Sequence, residues 1–236
     1  MLLLRIISRL LCYPDAELHA ALPEIREALA TASEVLPSVQ REALDRFVAD
    51  LAATDLFELQ ERYVRLFDHG RSLSLHLFEH VHGESRDRGQ AMVDLLQRYQ
   101  DRGFTLAARE LPDYLPLLLE YLSGQEPAEV AELLGDAADV IVLLGARLRE
   151  RASPYSALFE ALETVAGTPA DADSLRRKVA GEGPDPTVTR MDEIWEEEQV
   201  TFLAGSGAGG CTAGETQPAV APVRWLDQRR PAGSGI

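Results

Sequence analysis

Apolar side chains recur at spacings of three and four residues along most of this chain, and that periodicity limits the available folds more than any other feature. Residues 2–11, for example, are apolar at positions 2, 3, 6, 7, 10 and 11, with Arg5, Ser8 and Arg9 between them. Comparable stripes follow at residues 18–29, 47–51, 59–67, 92–99, 111–122, 130–148 and 155–165. An α-helix places residues with this spacing on one face. The pattern therefore predicts an all-α fold, a single globular domain of about eight or nine helices.

The composition changes near the C-terminus. Residues 204–236 are rich in glycine, alanine and proline, a composition that buries too little apolar surface to offset the entropy of folding. Gly205, Gly207 and Gly210 have the spacing of a dinucleotide-binding loop, but no helix pattern follows them and too few residues remain for a βαβ unit. We therefore predict an all-helical domain over residues 1–203 and a disordered, flexible tail over residues 204–236.

The chain is strongly acidic, with 39 Asp and Glu against 23 Lys and Arg and a formal net charge of −16. Nucleic acids and anionic membrane surfaces are bound through clustered positive charge, so this balance argues against both as partners. It would instead steer a basic or cationic amphipathic partner toward the chain.

Features that would direct the chain into or across a membrane are missing from the sequence. No run of about 18 apolar residues occurs, and Arg5 and Arg9 interrupt the one N-terminal stretch that resembles a secretory signal. Cys12 and Cys211 lie far apart and form no CxxC motif, which fits a reducing compartment. We expect a cytoplasmic protein without stable membrane association.

Four of the five histidines fall in one short segment, at positions 69, 76, 80 and 82. His76 and His80 have the i, i+4 spacing of zinc ligands on a helix, but His82 would point away from them and no cysteine supports the pair. The sequence also contains no G-x-S-x-G motif, no P-loop and no nucleophile beside a positioned base. We expect no bound metal and no enzyme activity; a metal-dependent helical enzyme that uses His76 and His80 remains the alternative.

Two blocks of sequence carry the most specific information. The first covers residues 61–95 and contains Tyr63, Leu66 and Phe67, followed by Ser-Leu-His-Leu-Phe-Glu-His over residues 74–80. Its leucines at positions 73, 75 and 77 alternate as in a strand, but a single strand has no partner to pair with. We therefore predict helix or irregular turn over residues 68–84.

The second block, residues 110–122, has Glu110, Pro112 and Asp113 in an E-x-P-D pattern and continues with Tyr114. Together the two blocks resemble the NarJ-type chaperones of respiratory nitrate reductase, within the wider TorD-like family of molybdoenzyme maturation chaperones. Much of that wider family has histidine where this chain has Tyr114, which narrows the match to the nitrate reductase branch. The resemblance covers roughly residues 2–203.

The resemblance implies a cytoplasmic, client-specific chaperone in nitrate assimilation. Such proteins bind the N-terminal segment of the catalytic molybdenum subunit, hold the apoenzyme open until the molybdenum cofactor is inserted, and delay membrane attachment until then. They catalyse nothing, bind no cofactor stoichiometrically and are not part of the finished enzyme. The resemblance also admits molybdenum cofactor biosynthesis proteins as partners. A structural adaptor without a maturation role is a second alternative.

A groove that binds a basic amphipathic helix needs an apolar floor and an acidic rim. The candidates for the floor are Tyr63, Leu66, Phe67 and Tyr114, of which Leu66 and Phe67 could equally be core residues. The candidates for the rim are Glu79, Glu84, Glu110, Asp113 and Glu120, with His69, His76 and His80 nearby.

Overall fold

The apolar stripes of the sequence form α-helices in the computed structural model, which describes residues 1–82, 87–106 and 110–183. The helices are α1 (Leu2–Leu11), α2 (Ala16–Ala32), α3 (Ser38–Ala53), α4 (Leu56–Phe67), α5 (Leu77–Val81), α6 (Asp87–Asp101), α7 (Leu115–Ser123), α8 (Pro127–Asp136), α9 (Ala138–Glu150), α10 (Ser156–Ala166) and α11 (Ala172–Ala180). The predicted all-α class is confirmed. The described ranges hold eleven α-helices, slightly more than the expected eight or nine.

Two of the additional helices come from segments whose pattern is ambiguous. The periodic residues 130–148 predicted one long helix, but α8 ends at Asp136 and α9 begins at Ala138. The break follows Gly135, and glycine is the weakest helix former after proline. The segment 68–84 contains the short helix α5 after a 3-10 turn at Arg71–Leu73.

Helix α1 is the most completely buried of the N-terminal helices. Leu4, Ile7 and Leu11 are fully buried, and α1 packs against both α7 and α2. Burial of each such side chain stabilises the fold by about 1.5–3 kcal/mol. The Ser8 Oγ donates a hydrogen bond to the Pro116 carbonyl at 2.6 Å, which fixes α1 against the start of α7.

The two sequence blocks meet at an extended segment. His76 and Tyr114 form an isolated antiparallel bridge, in which the Leu115 amide donates to the Leu75 carbonyl at 2.8 Å and the Leu77 amide to the Asp113 carbonyl at 3.0 Å. The prediction that this alternating segment has nothing to pair with was therefore wrong. Helix α7 begins at Leu115 rather than at residue 111 because residues 111–114 form a turn, in which the Tyr114 amide donates to the Leu111 carbonyl at 3.1 Å, and Tyr114 is extended.

All described residues lie in one compact unit, Met1–Asp192. The predicted domain boundary at residue 203 and the predicted tail, residues 204–236, lie outside the described residues. Across residues 1–82, 87–106 and 110–183, none of the helices has both the length and the apolar character needed to cross a membrane.

Candidate functional site

A cleft of about 280 Å³ opens where α4, the extended segment before α5 and the residue before α7 meet. We call it the tyrosine cleft. Its lining consists of Tyr13, Tyr63, Phe67, Asp68, Ser74, Leu75, His76, Glu110 and Tyr114. The cleft thus brings both sequence blocks to one place.

The floor of the tyrosine cleft is aromatic. The Tyr63 ring is buried and packs against Tyr13, with ring centroids 5.6 Å apart, and against Phe67 at 4.9 Å. Its hydroxyl donates to the Leu11 carbonyl at 2.8 Å and lies 3.3 Å from the Tyr114 hydroxyl. Burial raises the pKa of Tyr63, and raises that of Tyr114 to about 12, so both hydroxyls stay protonated at neutral pH.

The turn between α1 and α2 holds Tyr13 over this floor. Asp15 begins α2 by accepting the Leu18 amide at 2.7 Å, and it also pairs with Arg9 at 2.8 Å. The hydrogen bond from Leu18, followed by that from Arg9, lowers the pKa of Asp15. Tyr13 is 44% exposed. Sequence reasoning missed it as a site residue, although the aromatic residue beside a helix-ending proline was visible.

Asp113 was expected on the acidic rim, and the structure corrects this placement. Its side chain is 0% exposed. One carboxylate oxygen, Oδ2, accepts the Phe78 amide at 3.0 Å, and the other lies 3.3 Å from the His76 Nδ1. The Phe78 amide is one of the first-turn donors of α5 that no helical carbonyl can satisfy. Asp113 therefore supports the cleft from beneath, where it cannot offer its charge to a ligand.

His76 lies between this buried carboxylate and the cleft. Its side chain is half-buried, and its ring centroid lies 5.3 Å from that of Tyr114. The hydrogen bond with Asp113 raises the pKa of His76, while burial opposes the increase and Glu110 adds to it. The Asp113 carboxylate thus favours the protonated form of His76 at the wall of the cleft.

The other two predicted histidines do not line the cleft. The His80 Nε2 lies 2.8 Å from the Ser74 carbonyl, and burial lowers the pKa of His80. The His69 Nδ1 lies 3.0 Å from the Val64 carbonyl. Within the residues that the structure describes, no group of three or more His, Cys, Asp or Glu side chains is arranged to hold a metal ion.

The predicted floor and rim residues are only partly brought together. Leu66 lines a different cleft, and Glu79 pairs with Arg88 at 3.4 Å. Glu120 is exposed on α7. Burial raises the pKa of the Cys12 thiol, and the nearby charge of Glu120 raises it further. Glu84 lies outside the described residues.

Two exposed carboxylates give the tyrosine cleft an acidic rim. Glu110 was predicted, whereas Asp68 was missed although it directly follows Phe67 in the sequence. Both lie beside an aromatic floor, so the cleft combines apolar surface with negative charge. Such a surface can take an apolar side chain and attract a cation at the same time.

Comparison with known proteins gives consistent matches. Residues 14–161 match the protein family described as nitrate reductase delta subunit. The nitrate reductase molybdenum cofactor assembly chaperone NarJ of Escherichia coli K12 is 51% identical over 209 residues, which cover 89% of this chain and 88% of that protein. NarW of the same strain, named as a probable nitrate reductase molybdenum cofactor assembly chaperone, is 44% identical over 205 residues, which cover 86% of this chain and 84% of that protein. The probable chaperone NarJ of Bacillus subtilis is 33% identical over 156 residues, with coverages of 66% and 83%.

Proposed function

The chain belongs to the nitrate reductase delta subunit family, and from that premise we propose that it is an assembly chaperone that prepares a nitrate reductase for insertion of the molybdenum cofactor. Relatives with 51% and 44% identity are named as chaperones of this kind, which supports a maturation role and a chain that is not an enzyme. The chaperone acts in the cytoplasm and is absent from the finished enzyme.

The client segment in this proposal is the N-terminus of the catalytic subunit, bound as a basic amphipathic helix in the tyrosine cleft. The observation that carries it is the position of the exposed carboxylates of Asp68 and Glu110 beside the Tyr63 and Tyr114 rings, in one cleft. An apolar residue of the client packs on the rings, and a neighbouring lysine or arginine faces the carboxylates.

Binding of the client's N-terminal segment in the cleft explains how a protein without enzyme activity acts in maturation. While that segment lies in the cleft, it cannot fold onto the rest of the catalytic subunit, so the apoenzyme stays open. It is also withheld from contacts that attach the enzyme to the membrane. The molybdenum cofactor enters the client, and in this proposal the chaperone itself holds none stoichiometrically.

Titration calorimetry with a synthetic peptide of the client's first 15 or so residues, at low and high salt, tests the binding site. Tyr114→Ala should weaken binding by about ten- to a hundredfold and leave the salt dependence unchanged, because loss of a buried anchor removes about 1.5–3 kcal/mol. Asp68→Asn with Glu110→Gln should weaken binding by only about two- to tenfold and flatten the salt dependence, because exposed charges are screened.

Glu24→Gln, an exposed carboxylate on α2, is the matched control and should bind as the unmodified chain does. Circular dichroism must show that Tyr114→Ala is folded. Binding that is independent of salt and of both rim carboxylates would refute the acidic rim. A peptide that does not bind at all would refute the N-terminal client segment.

Deletion of the gene in the native host separates a maturation chaperone from a structural adaptor. The maturation role predicts nitrate reductase that lacks its molybdenum cofactor in the deletion strain. Fully loaded nitrate reductase in that strain would contradict it. Co-purification from the host, with mass spectrometry of the bound proteins, should recover the catalytic subunit.

A further inference from the structure

A second cleft, of about 270 Å³, lies along another face of α4. We call it the Ser153 cleft. Its lining consists of Asp50, Leu51, Leu59, Arg62, Arg65, Leu66, Ser153, Pro154 and Tyr155. It shares no lining residue with the tyrosine cleft, although the ring of Tyr155 contacts that of Phe67, with centroids 5.1 Å apart. The Ser153 cleft is therefore a separate site next to the proposed client site.

One wall of the Ser153 cleft holds a hydroxyl that lacks a partner. Ser153 is 6% exposed, and its Oγ makes no hydrogen bond to any residue in the part of the chain that the structure describes. Its backbone is engaged, since the amide donates to the Leu148 carbonyl at 2.9 Å and the carbonyl accepts the Ser156 amide at 3.1 Å. A buried polar group without a partner costs free energy, which a ligand that bonds to it recovers. The hydroxyl therefore indicates a ligand with a hydrogen-bonding atom.

The backbone at the end of α9 holds Ser153 in this place. Ala152 has a φ of 50°, a left-handed conformation that is uncommon outside glycine, and the turn is closed by the Ser153 amide on the Leu148 carbonyl. Pro154 follows, and its ring fixes its own φ. Both neighbours thus restrict the chain, so Ser153 is already positioned for a ligand and little entropy is lost when one binds.

The other walls are apolar and enclose a small volume. Leu51, Leu59 and Tyr155 are buried, and Leu66 is half-buried. One turn of an α-helix about 10 Å across and 5.4 Å long already occupies about 420 Å³, so the cleft takes a single side chain and not a helix. A tyrosine side chain combines an aromatic ring with a hydroxyl at its tip that both donates and accepts, and so it satisfies Ser153 in either direction.

Two arginines, Arg62 and Arg65, lie at the exposed rim of the cleft. Each pairs with a glutamate one turn earlier on α4, Glu58 and Glu61 respectively. Asp50, the one acidic residue of the lining, lies 3.4 Å from Arg62. Exposed pairs of this kind are weak, and a guanidinium has further N–H donors beyond those in one pair. A carboxylate of a ligand can therefore share these arginines.

The rims of the two clefts differ in sign. Asp68 and Glu110 attract a cation to the tyrosine cleft, whereas Arg62 and Arg65 favour an anion at the Ser153 cleft. A basic client segment is thus disfavoured here, and an acidic segment fits. The net charge of −16 opposes an acidic partner at long range. That repulsion is screened over about 8 Å at physiological ionic strength, which leaves the contacts at the rim.

We propose that the Ser153 cleft binds a partner protein through one tyrosine side chain that has acidic residues beside it. The tyrosine hydroxyl bonds to the Ser153 Oγ, the ring packs against Leu66 and Tyr155, and a neighbouring carboxylate pairs with Arg65. The cleft gives the chain a second interaction surface, for a partner whose charge is opposite to that of the proposed client.

Titration of the isotope-labelled full chain, followed by nuclear magnetic resonance, tests the site. The probe is a blocked five-residue peptide with a central tyrosine and two glutamates on each side. We expect amide signals of Ser153, Tyr155 and α4 to shift and to saturate at millimolar peptide. The same peptide with phenylalanine at its centre should bind about two- to tenfold more weakly, because it loses one hydrogen bond. Absence of saturable shifts at the Ser153 cleft would overturn the proposal.

Ser153→Ala tests the hydrogen bond itself. In this variant the tyrosine and phenylalanine peptides should bind equally, because both lack the same bond. The variant should fold and be at least as stable as the unmodified chain, since it removes a buried hydroxyl that has no partner. A preference for tyrosine that persists in Ser153→Ala, or a chain that Ser153→Ala destabilises, would show that the hydroxyl serves another partner and refute the assignment.

The arginine rim is tested by charge. Arg65→Gln should weaken binding of the acidic peptide by about two- to fivefold, whereas Arg41→Gln, on the exposed surface of α3, should leave it unchanged. A peptide with lysines in place of its glutamates should bind more weakly than the acidic one. Equal binding of the two peptides would overturn the choice of an acidic partner.

Three further outcomes would assign the cleft differently. Acetyltyrosine amide that binds as tightly as the acidic peptide would identify a site for a small aromatic compound, which overturns a protein partner. Shifts of Ser153 and Tyr155 that grow with protein concentration alone would identify a second copy of this chain. Tyr114→Ala should leave binding of the acidic peptide unchanged, and Ser153→Ala should leave binding of the client peptide unchanged, so each proposal can fail alone. Loss of acidic-peptide binding in Tyr114→Ala would place that peptide in the tyrosine cleft and overturn the proposal.

Discussion

Replacement of Asp113 by alanine should destabilise this protein more than the loss of any exposed carboxylate around the tyrosine cleft. The side chain is fully buried, and its two oxygens contact the Phe78 amide at 3.0 Å and the His76 Nδ1 at 3.3 Å. Alanine leaves the Phe78 amide without its acceptor and His76 without its carboxylate. His76 is the last residue before α5 and Phe78 lies in the first turn of α5, so the loss falls beside the wall of the cleft.

The size of the effect follows from those contacts. A hydrogen bond to a charged acceptor contributes about 1.5–3 kcal/mol, and a buried donor left without its acceptor costs about 1–3 kcal/mol. We therefore expect Asp113→Ala to lower the free energy of unfolding by about 2–4 kcal/mol, out of a typical total of about 5–15 kcal/mol. Asp113→Asn keeps an acceptor for the Phe78 amide and should cost less, about 1–2 kcal/mol.

The loss should also depend on pH in a definite direction. The hydrogen bond with Asp113 raises the pKa of His76 in the folded chain. A histidine with a raised folded pKa contributes stability that is complete below the unfolded pKa, about 6.5, and that disappears as pH rises through the folded pKa. The difference in free energy of unfolding between the unmodified chain and Asp113→Ala should therefore be larger at about pH 6 than at about pH 8.

Urea denaturation followed by circular dichroism, at both pH values, measures these differences. Glu110→Gln is the matched control, because Glu110 is exposed three residues earlier and should change stability by no more than about 0.5 kcal/mol. A double-mutant cycle with His76→Ala should show coupling well above the 0.3–0.5 kcal/mol typical of independent sites. A loss below about 1 kcal/mol for Asp113→Ala, or a difference that grows with pH, would refute the reasoning.

Three further predictions follow from the packing and the sequence. A Cβ at Gly145 would lie 3.1 Å from the Phe159 Cβ, so Gly145→Ala should lower the free energy of unfolding by about 1–3 kcal/mol, as measured by thermal or urea denaturation. A Cβ at Gly135 would have no atom within 4 Å, so the control Gly135→Ala should be neutral or stabilising by up to about 1 kcal/mol. Elemental analysis should find no stoichiometric metal; about one zinc or iron per chain, lost in His76→Ala/His80→Ala, would instead favour the metal-dependent alternative. A chain that ends at Leu203 should bind the client peptide in calorimetry with the same affinity as the full chain, because the composition of residues 204–236 cannot offset the entropy of ordering. A clear loss of affinity would assign the tail, including Trp225, to the site.

Helix positions could be predicted from the sequence because they depend on a local, repeated signal. The stripe over residues 2–11 became α1 with matching bounds, and Asp55 begins α4 with its carboxylate on the Phe57 amide at 2.9 Å. Each of these features involves residues within one or two helical turns. The family resemblance was equally accessible, since it rests on contiguous motifs.

The arrangement of the site could not be read in the same way, because it depends on contacts between distant residues. Asp113 looks like any acidic residue at a helix start, and its contact with Phe78, 35 residues away, forms only in the folded chain. Leu66 and Phe67 are adjacent and equally apolar. A rotation of about 100° per helical residue sends them to different clefts, and periodicity alone does not say which neighbour each one meets.

The burial of Asp113 separates two kinds of acidic residue at the tyrosine cleft, the client site that we propose. A carboxylate that is buried and bonded to a backbone amide keeps its partners whatever the salt concentration, because ions screen it poorly. Asp68 and Glu110 lie at the surface, where their attraction for a cation weakens with salt. Substitution of Asp113 should thus alter stability without flattening the salt dependence of peptide binding, and substitution of Glu110 should do the reverse. In the proposed function, a chain with so many acidic residues therefore attracts a basic client through a few of them, while at least one other builds the tyrosine cleft.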